Sequence, residues 1–209
     1  MPRRKKTVKP EDIFKTVYQF KVTLLGIEPS IWRRFIIPSE FDLYLLHGAL
    51  QGVMGWTNSH LHFFEIGEKK YTALSLLDDD LWEPMDEEMD VALPDAGLKK
   101  GSRFRYIYDL GDDWQHDVEV EDVRAAKPDE IVMACLDGAR ACPPEDCGGP
   151  PGYQELLAAL RNAAHARHKE LTQWIGKRFD PERFNPDERT KAMLRSPSGA
   201  EPGGDVSLQ

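Results

Sequence analysis

The chain has 209 residues, of which 41% are hydrophobic and 10% aromatic, so it has enough apolar side chain to bury one substantial core. Its formal net charge is -9, and acidic residues are concentrated in segments 78–90 and 106–122, which disfavours general nucleic-acid binding by the body of the domain. The sequence contains no long apolar run, and an apolar segment does not follow its basic start. We therefore expect a cytoplasmic protein that does not enter a membrane.

Three regions differ in composition. Residues 15–195 are expected to form a single domain, preceded by a basic flexible arm at 1–14 and followed by a disordered tail at 196–209. The basic side chains near the start of the arm are Arg3, Arg4, Lys5 and Lys6. They allow a DNA contact through the arm, although a solvated arm is the simpler interpretation.

The first half of the domain alternates between strand and helix patterns. "VYQFKVTLL" and "IWRRFIIP" predict a pair of strands, because apolar residues recur at every second position. "SEFDLYLLHGALQGVMGW" predicts a helix, with Ser39 and Asp42 as a capping box and Gly55 as its end. "HLHFFEIG" then predicts a strand that places His60 and His62 on the same side, followed by a short strand at "YTAL".

The second half contains an acidic segment, a hairpin and helices. The segment "LLDDDLWEPMDEEMDVALPDAG" lacks a clear period and is predicted to be an ordered loop, long enough to act as a lid. "SRFRYIYDLGDDWQHDVEVED" predicts a hairpin that turns at "DLGDD". Residues 153–176 predict one helix, and Asp180-Pro181 and Asn185-Pro186 predict two more helix starts. The fold class is therefore α+β: a mixed or antiparallel sheet with one helix after the first hairpin and a C-terminal helical segment, in a single domain.

Five motifs occur in order: "YQFKVTLLGIEPSIWRRFIIP", "LHGALQGVMGWTNSHLHFFEIG", "YIYDLGDDWQHDVEVE", "CLDGARACPPEDCGGPPGY" and "FDPERFNPDE". Together they resemble the plasmid pRiA4b ORF-3-like family over about residues 15–190. The resemblance implies a compact α+β domain, encoded on plasmids, in mobile elements and in bacterial and archaeal chromosomes, without an established activity. Some relatives carry a resolvase-like label from an insertion-sequence passenger gene. The side-chain sets of serine and tyrosine recombinases do not occur here, so the resemblance implies a fold and a genomic setting rather than a mechanism.

The polar residues of two motifs form the leading candidate site. They are His60, His62, Asp109, Asp112, Asp113 and His116. Imidazole nitrogens and carboxylate oxygens together hold Zn, Mn or Fe, and an open position at such an ion can activate water. The alternative is that "DLGDD" is chosen for its backbone geometry and that His116 is a buried, hydrogen-bonded histidine.

The cysteines are concentrated in one glycine- and proline-rich stretch. Six residues separate Cys135 from Cys142, and four separate Cys142 from Cys147. Structural zinc sites usually place two to four residues between paired cysteines, so zinc is the minority interpretation here. The alternative is a rigid joint between sheet and helix, with no cofactor expected.

These patterns favour a non-catalytic interaction module that binds a protein partner through its acidic and aromatic loops. A metal-dependent hydrolase that uses the histidine and aspartate candidates is the first alternative. A mobile-element accessory protein that contacts DNA through its arm is the second.

Overall fold

A mixed β-sheet organises the chain in its computed structural model, which describes residues 16–77, 84–176 and 179–195. The predicted arm at 1–14 and tail at 196–209 lie outside the described residues, as does part of the acidic segment. The strands are β1 Thr16–Leu24, β2 Ile31–Pro38, β3 His62–Ile66, β4 Lys69–Thr72, β5 Asp86–Glu87, β6 Arg103–Tyr108, β7 Trp114–Ala125 and β8 Ala134–Ala139. The helices are α1 Leu43–Met54, α2 Gly149–Arg161, α3 His168–Ile175 and α4 Pro186–Arg195.

The described strands form one sheet in the order β5-β4-β3-β6-β7-β1-β2-β8. All neighbours are antiparallel except β4 and β5, which run parallel. The helices lie mainly in the last third of the chain, and the predicted α+β class and single domain are confirmed. Among the described residues, no helix has both the length and the apolar character needed to cross a membrane.

Cross-strand pairs build the core. Val118 of β7 pairs with Val22 of β1 on one side and with Phe104 of β6 on the other, and all three are buried. Alternation along each strand places every second side chain on this face, so the predicted hairpin of β6 and β7 is confirmed together with its inward residues. The same face carries His116, directly opposite Tyr106.

Helix α1 begins later than its sequence suggests. The capping residue is Asp42, whose side chain accepts a hydrogen bond of 2.8 Å from the Leu45 amide, so the prediction of Ser39 as the cap is wrong. An aspartate in extended conformation directly before the first helical turn satisfies an otherwise unpaired amide. The helix ends at Gly55, as predicted, with a left-handed φ of 100°.

Two predictions for less regular segments are wrong. Residues 86–87 are not loop: they form β5 beside β4, and Glu88 directly after them is fully buried. The helix predicted over residues 153–176 is two helices, because α2 ends at Arg161 and a turned segment precedes α3. His168 closes this break by donating a 2.7 Å hydrogen bond to the Ala159 carbonyl.

The C-terminal helix packs closely on α1. A Cβ atom at Gly52 would lie 2.6 Å from the Met193 Cα, so only glycine permits this approach between the two helices. The helix begins at Pro186, after an Asn185 side chain that accepts hydrogen bonds from the Asp187 and Glu188 amides. Asp180-Pro181 starts a turn instead of a helix.

Candidate metal centre

Four polar side chains converge at the end of the sheet where β6 turns into β7. His60 Nε2 lies 3.2 Å from Asp146 Oδ1, 3.6 Å from Asp109 Oδ2 and 3.8 Å from Glu145 Oε2. One ligand atom each from His60, Asp109 and Asp146 lies within 4.8 Å of the other two. We call these three residues the His60 cluster. Within the described ranges they are the one group of three or more histidine, cysteine or acidic side chains arranged closely enough to share an ion.

His60 supplies the nitrogen of the cluster. It precedes β3 rather than forming part of it, so the expectation that it shares a strand face with His62 is wrong. Its Nε2 atom is shielded from solvent and makes no hydrogen bond of acceptable geometry to any described residue. A shielded nitrogen that faces carboxylates without a directed hydrogen bond is an incompletely satisfied polar atom, which is uncommon in folded proteins.

Asp109 is held by the hairpin turn. Its backbone φ is 57°, a left-handed conformation that aspartate tolerates better than most residues. Oδ1 accepts hydrogen bonds from the amides of Gly111 and Asp112, at 3.0 and 3.2 Å. One carboxylate oxygen therefore builds the turn, which leaves Oδ2 directed towards His60.

Asp146 and Glu145 come from the loop between β8 and α2. Asp146 also has a left-handed φ of 57°, and its side chain is 73% exposed. Glu145 is more firmly held, because its Oε1 accepts hydrogen bonds from the Thr57 amide at 2.9 Å and the Tyr108 hydroxyl at 3.1 Å. The cluster is thus closed on the protein side and open to solvent at Asp146.

A close backbone contact aligns the hairpin turn with this loop. The Asp112 carboxylate accepts a 3.1 Å hydrogen bond from the Gly148 amide. A Cβ atom at Gly149 would lie 2.4 Å from the Asp112 carbonyl oxygen, and the Gly149 φ of 66° also favours glycine. Asp112 therefore positions the cluster without joining it.

The geometry suits a divalent cation. Ligands at about 2.1 Å from a common ion are separated by roughly 3.0 Å in octahedral and 3.4 Å in tetrahedral coordination, as metal–ligand distances of this size require. The separations of 3.2 and 3.6 Å from His60 Nε2 fall close to these values. One imidazole nitrogen with two carboxylate oxygens is a donor set for Zn, Mn or Fe.

His62, predicted to act beside His60, belongs to a different environment. Its Nε2 atom lies 2.8 Å from Glu88 Oε2, and the two side chains are 3% and 0% exposed. Its ring stacks on His47 with centroids 3.4 Å apart. Burial lowers the pKa of His62 to about 3 and raises the pKa of Glu88 to about 7. Below about pH 7 the neutral forms of both groups are therefore favoured, and one proton lies in the hydrogen bond between them.

His47 is fixed by a directed chain of hydrogen bonds. Gln51 donates from Nε2 to the Tyr106 hydroxyl at 2.9 Å, and that hydroxyl lies 2.8 Å from His47 Nδ1. His47 Nε2 lies 2.8 Å from the Asn58 side-chain oxygen, which can only accept. The proton of the neutral ring is therefore on Nε2, and Tyr106 donates to Nδ1.

The remaining aspartate and histidine candidates lie apart from the His60 cluster. His116 is fully buried, donates from Nδ1 to the Tyr106 carbonyl at 3.0 Å, and has a pKa lowered by burial to about 4. The Asp113 carboxylate accepts a hydrogen bond from the Gln115 side chain at 2.8 Å.

The sequence did not predict that Glu145 and Asp146 belong near this site. The available signal was an acidic pair in "PPEDCGG", close to two prolines and two glycines.

Among the described residues, the cysteines do not assemble a site with other ligands. Cys135, Cys142 and Cys147 are free thiols, and none belongs to a group of three ligating side chains in the described part of the chain. Burial raises the pKa of Cys135 to about 11 and that of Cys147 to about 12, and it raises the pKa of Cys142 further. Protonated thiols are poor metal ligands and poor nucleophiles, so their surroundings favour a structural role.

Comparisons with known proteins agree with one another. The pattern of the plasmid pRiA4b ORF-3-like proteins matches residues 16–188. An uncharacterised protein of Sinorhizobium fredii is 39% identical over 184 residues, which cover 85% of this chain and 91% of that protein. The crystal structure of a protein of unknown function from Methanosarcina mazei is similar with a TM-score of 0.74 and 35% identity, over 84% of this chain and 98% of that one. The chain is therefore a member of the plasmid pRiA4b ORF-3-like family.

Proposed function

We propose that the protein is a binding module whose central site takes up a divalent metal ion at His60, Asp109 and Asp146. The single observation that carries this proposal is the solvent-shielded His60 Nε2, which faces carboxylate oxygens at 3.2 and 3.6 Å and makes no directed hydrogen bond among the described residues. A cation at the centre of the cluster satisfies that nitrogen and offsets the repulsion between carboxylates at the same time.

The exposed side of the cluster supports a binding role. Asp146 is 73% exposed, so an ion held here keeps positions open to solvent. A protein partner that offers a carboxylate or a carbonyl oxygen can occupy such a position. The ion then links partner binding to metal loading, which agrees with the interaction module expected from the sequence.

A metal-dependent hydrolase is the second candidate, and Glu145 is the residue that favours it. Its carboxylate lies 3.8 Å from His60, next to the cluster but outside the group of three, and it also lines a neighbouring cleft. A fixed carboxylate beside a metal site is suited to act as a general base. This candidate requires turnover that depends on both metal and Glu145, whereas the binding module requires no turnover.

A DNA contact through the arm stays a prediction. Arg3, Arg4, Lys5 and Lys6 lie outside the described residues, and the proposed metal site does not involve them. Deleting residues 1–10 and measuring DNA retention at low salt tests it, since an unchanged retention removes the arm from consideration.

Isosteric variants test the metal site. Tag-free protein, stripped with chelator, is titrated with Zn²⁺ by calorimetry and with Mn²⁺ by paramagnetic resonance. Asp109→Asn and Asp146→Asn keep the side-chain shape and tolerance of left-handed φ, yet each removes one charged ligand. Asp113→Asn is the matched control, because Asp113 has a φ of 52° on the same turn and lies outside the cluster.

The expected result is one equivalent of bound metal in the wild type and in Asp113→Asn. Affinity is expected to fall about tenfold or more in Asp109→Asn, in Asp146→Asn and in His60→Gln. Failure of the wild type to bind either ion stoichiometrically contradicts the proposal. Equal weakening in the control and in the ligand variants does so as well.

A further inference from the structure

A cleft of about 290 Å³ lies beside the His60 cluster. Its walls are the end of α1, the segment after β8, and the chain from residue 179 into α4. The charged residues that line it are Arg33, Arg183, Arg189, Glu145, Asp180 and Glu188. The formal charges balance, so the local pairing of each group decides what the cleft attracts.

Its carboxylates are already engaged. Glu188 forms an ion pair of 2.6 Å with Arg183. Asp180 accepts a hydrogen bond of 3.0 Å from the Glu182 amide, and Glu145 is held by Thr57 and Tyr108 on its other side. Pairing removes Arg183 and Glu188 from the balance, which leaves two arginines and two carboxylates, and both carboxylates already accept hydrogen bonds from other groups.

Arg33 is a buried cation that has no carboxylate partner among the described residues. Its side chain is 1% exposed and donates only to backbone carbonyls, those of Trp32, Val53, Ala139 and Arg140. An arginine side chain retains its proton under all ordinary conditions. The wall of the cleft therefore contains a fixed positive charge that carbonyl dipoles solvate but do not neutralise.

Arg189 places a second guanidinium at the same wall. It is partly exposed, and no hydrogen bond or ion pair of its side chain to any other described residue occurs. Its Nη1 atom lies over Gly55, where an added Cβ atom would be only 2.2 Å away. The guanidinium therefore lies against the end of α1 while its donors remain available, and this arrangement suits two-point recognition of an oxyanion.

Aromatic side chains complete the cleft. The Phe184 ring packs under the Arg33 guanidinium at 4.7 Å, and Trp56 and Phe179 also line the space. Trp56 donates from Nε1 to the Pro143 carbonyl at 3.1 Å, which fixes its indole at the cleft wall. These surfaces favour a ligand that carries an apolar or planar group beside its anionic group.

We propose that this cleft binds a small organic oxyanion, a carboxylate or a phosphate, with Arg189 as its direct partner and Arg33 as the buried charge behind it. Glu145 lies between this cleft and the His60 cluster, but anion binding needs no metal. The ligand is a small molecule of metabolite size, because a cleft of about 290 Å³ has no room for a larger one.

Titration of the isotope-labelled full chain tests the proposal. Phenyl phosphate, benzoate and inorganic phosphate are added in turn, with chelator present, while the Trp56 indole N–H signal is followed by NMR. Arg189→Gln removes the positive charge. Arg189→Lys keeps the charge but loses the planar set of donors that allows the guanidinium to make two hydrogen bonds to one anion. Arg195→Gln is the matched control, since Arg195 lies on the same helix, is exposed and does not line the cleft.

The expected result is saturable movement of the Trp56 signal in the wild type and in Arg195→Gln. Affinity is expected to fall about tenfold or more in Arg189→Gln and by less in Arg189→Lys, as for loss of a charge-assisted hydrogen bond. Tighter binding of phenyl phosphate than of benzoate assigns the ligand to phosphates, and the reverse order assigns it to carboxylates.

Two outcomes overturn the proposal: no saturable shift with any of the three probes, or unchanged affinity in Arg189→Gln. Thermal unfolding of each variant shows whether it is folded. If Arg189→Gln does not fold, the wild-type titration and Arg189→Lys still decide the matter.

Discussion

Glu88 and His62 form a 2.8 Å hydrogen bond between two side chains that are 0% and 3% exposed. The residues come from different elements, with His62 opening β3 and Glu88 following β5. The Thr72 hydroxyl, on the strand between them, donates to the His62 carbonyl at 2.6 Å. A buried carboxyl group thus joins the edge of the sheet to its centre.

Glu88 makes stability depend on pH in an unusual direction. Burial raises its pKa from 4.5 to about 7, so the folded state binds this proton more tightly than the unfolded chain does. Its contribution to the free energy of unfolding is therefore complete below about pH 4.5 and is lost as the pH rises through about 7. The titratable and charged groups that face it are His47, His62, Glu87 and Asp42.

Glu88→Gln tests this contribution. The free energy of unfolding of the wild type minus that of the variant is expected to fall by on the order of 3 kcal/mol between about pH 4.5 and pH 8. Urea unfolding at a series of pH values measures it. Glu68→Gln, at an exposed turn position, is the control for the substitution itself. A constant difference for Glu88→Gln contradicts the assignment.

His116 contributes in the opposite direction. Burial lowers its pKa from 6.5 to about 4, so its stabilising contribution is complete above about pH 6.5 and is lost as the pH falls towards 4. His116→Phe removes the titrating group but keeps a ring of similar size. When the pH falls from about 7.5 to 4.5, we expect the free energy of unfolding to decrease by about 2 kcal/mol less in this variant than in the wild type. Urea unfolding at a series of pH values measures it. His165→Gln, at a partly exposed histidine, is the control for the loss of an imidazole.

Gly149 is expected to be sensitive to substitution, and it lies beside the His60 cluster. Its replacement by alanine places a Cβ atom 2.4 Å from the Asp112 carbonyl and adds the cost of a φ of 66°. Gly67→Ala is the matched control, because Gly67 has a φ of 62° with open space around it. In chemical unfolding, the free energy of unfolding is expected to fall by about 1 kcal/mol in the control and by about 2–4 kcal/mol in Gly149→Ala.

The same variant also tests the proposed metal binding at the His60 cluster. Displacing the loop from the hairpin turn separates Asp146 from Asp109, so Gly149→Ala is expected to weaken Zn²⁺ binding while Gly67→Ala leaves it unchanged. If both glycine variants lose similar stability and retain the metal, the contact between turn and loop does not position the cluster.

The cysteines are expected to react slowly with a disulfide reagent at about pH 8. Cys135 is buried, Cys142 and Cys147 are partly buried, and burial raises the pKa of Cys135 to about 11 and that of Cys147 to about 12. Only the thiolate reacts, so the rate should rise by about 100-fold or more when the protein is unfolded in urea. The measurement is made with chelator present. Fast reaction of a folded-state thiol assigns that cysteine a role beyond packing.

Much of the fold was predictable because its signals are local. The hairpin of β6 and β7 follows from alternation of apolar residues around "DLGDD", and the end of α1 follows from Gly55. Where a local signal was ambiguous, the prediction failed. Asp42 and Ser39 are both good helix caps, and the contact of Asp42 with the Asp90 amide, 48 residues away in sequence, helps to select it.

The candidate site was only half predictable. Asp109 and His60 were found because histidine and aspartate are chemically conspicuous beside a turn. Asp146 and Glu145 join them through docking of the loop at 145–149 on that turn, a contact between distant parts of the chain. Side-chain directions at such a contact depend on how the two segments pack, so the periodicity of the sequence does not predict them.

The sequence by itself determined the family, the fold class and the strands of the sheet centre, because periodicity, capping and turn chemistry act over a few residues. The tertiary structure decided which polar groups meet. It buried His62 against Glu88, left His60 Nε2 facing carboxylates, and set Arg189 at a cleft without an acidic partner among the described residues. Each of these outcomes depends on distances between elements far apart in the chain, and those distances are set by how the elements pack.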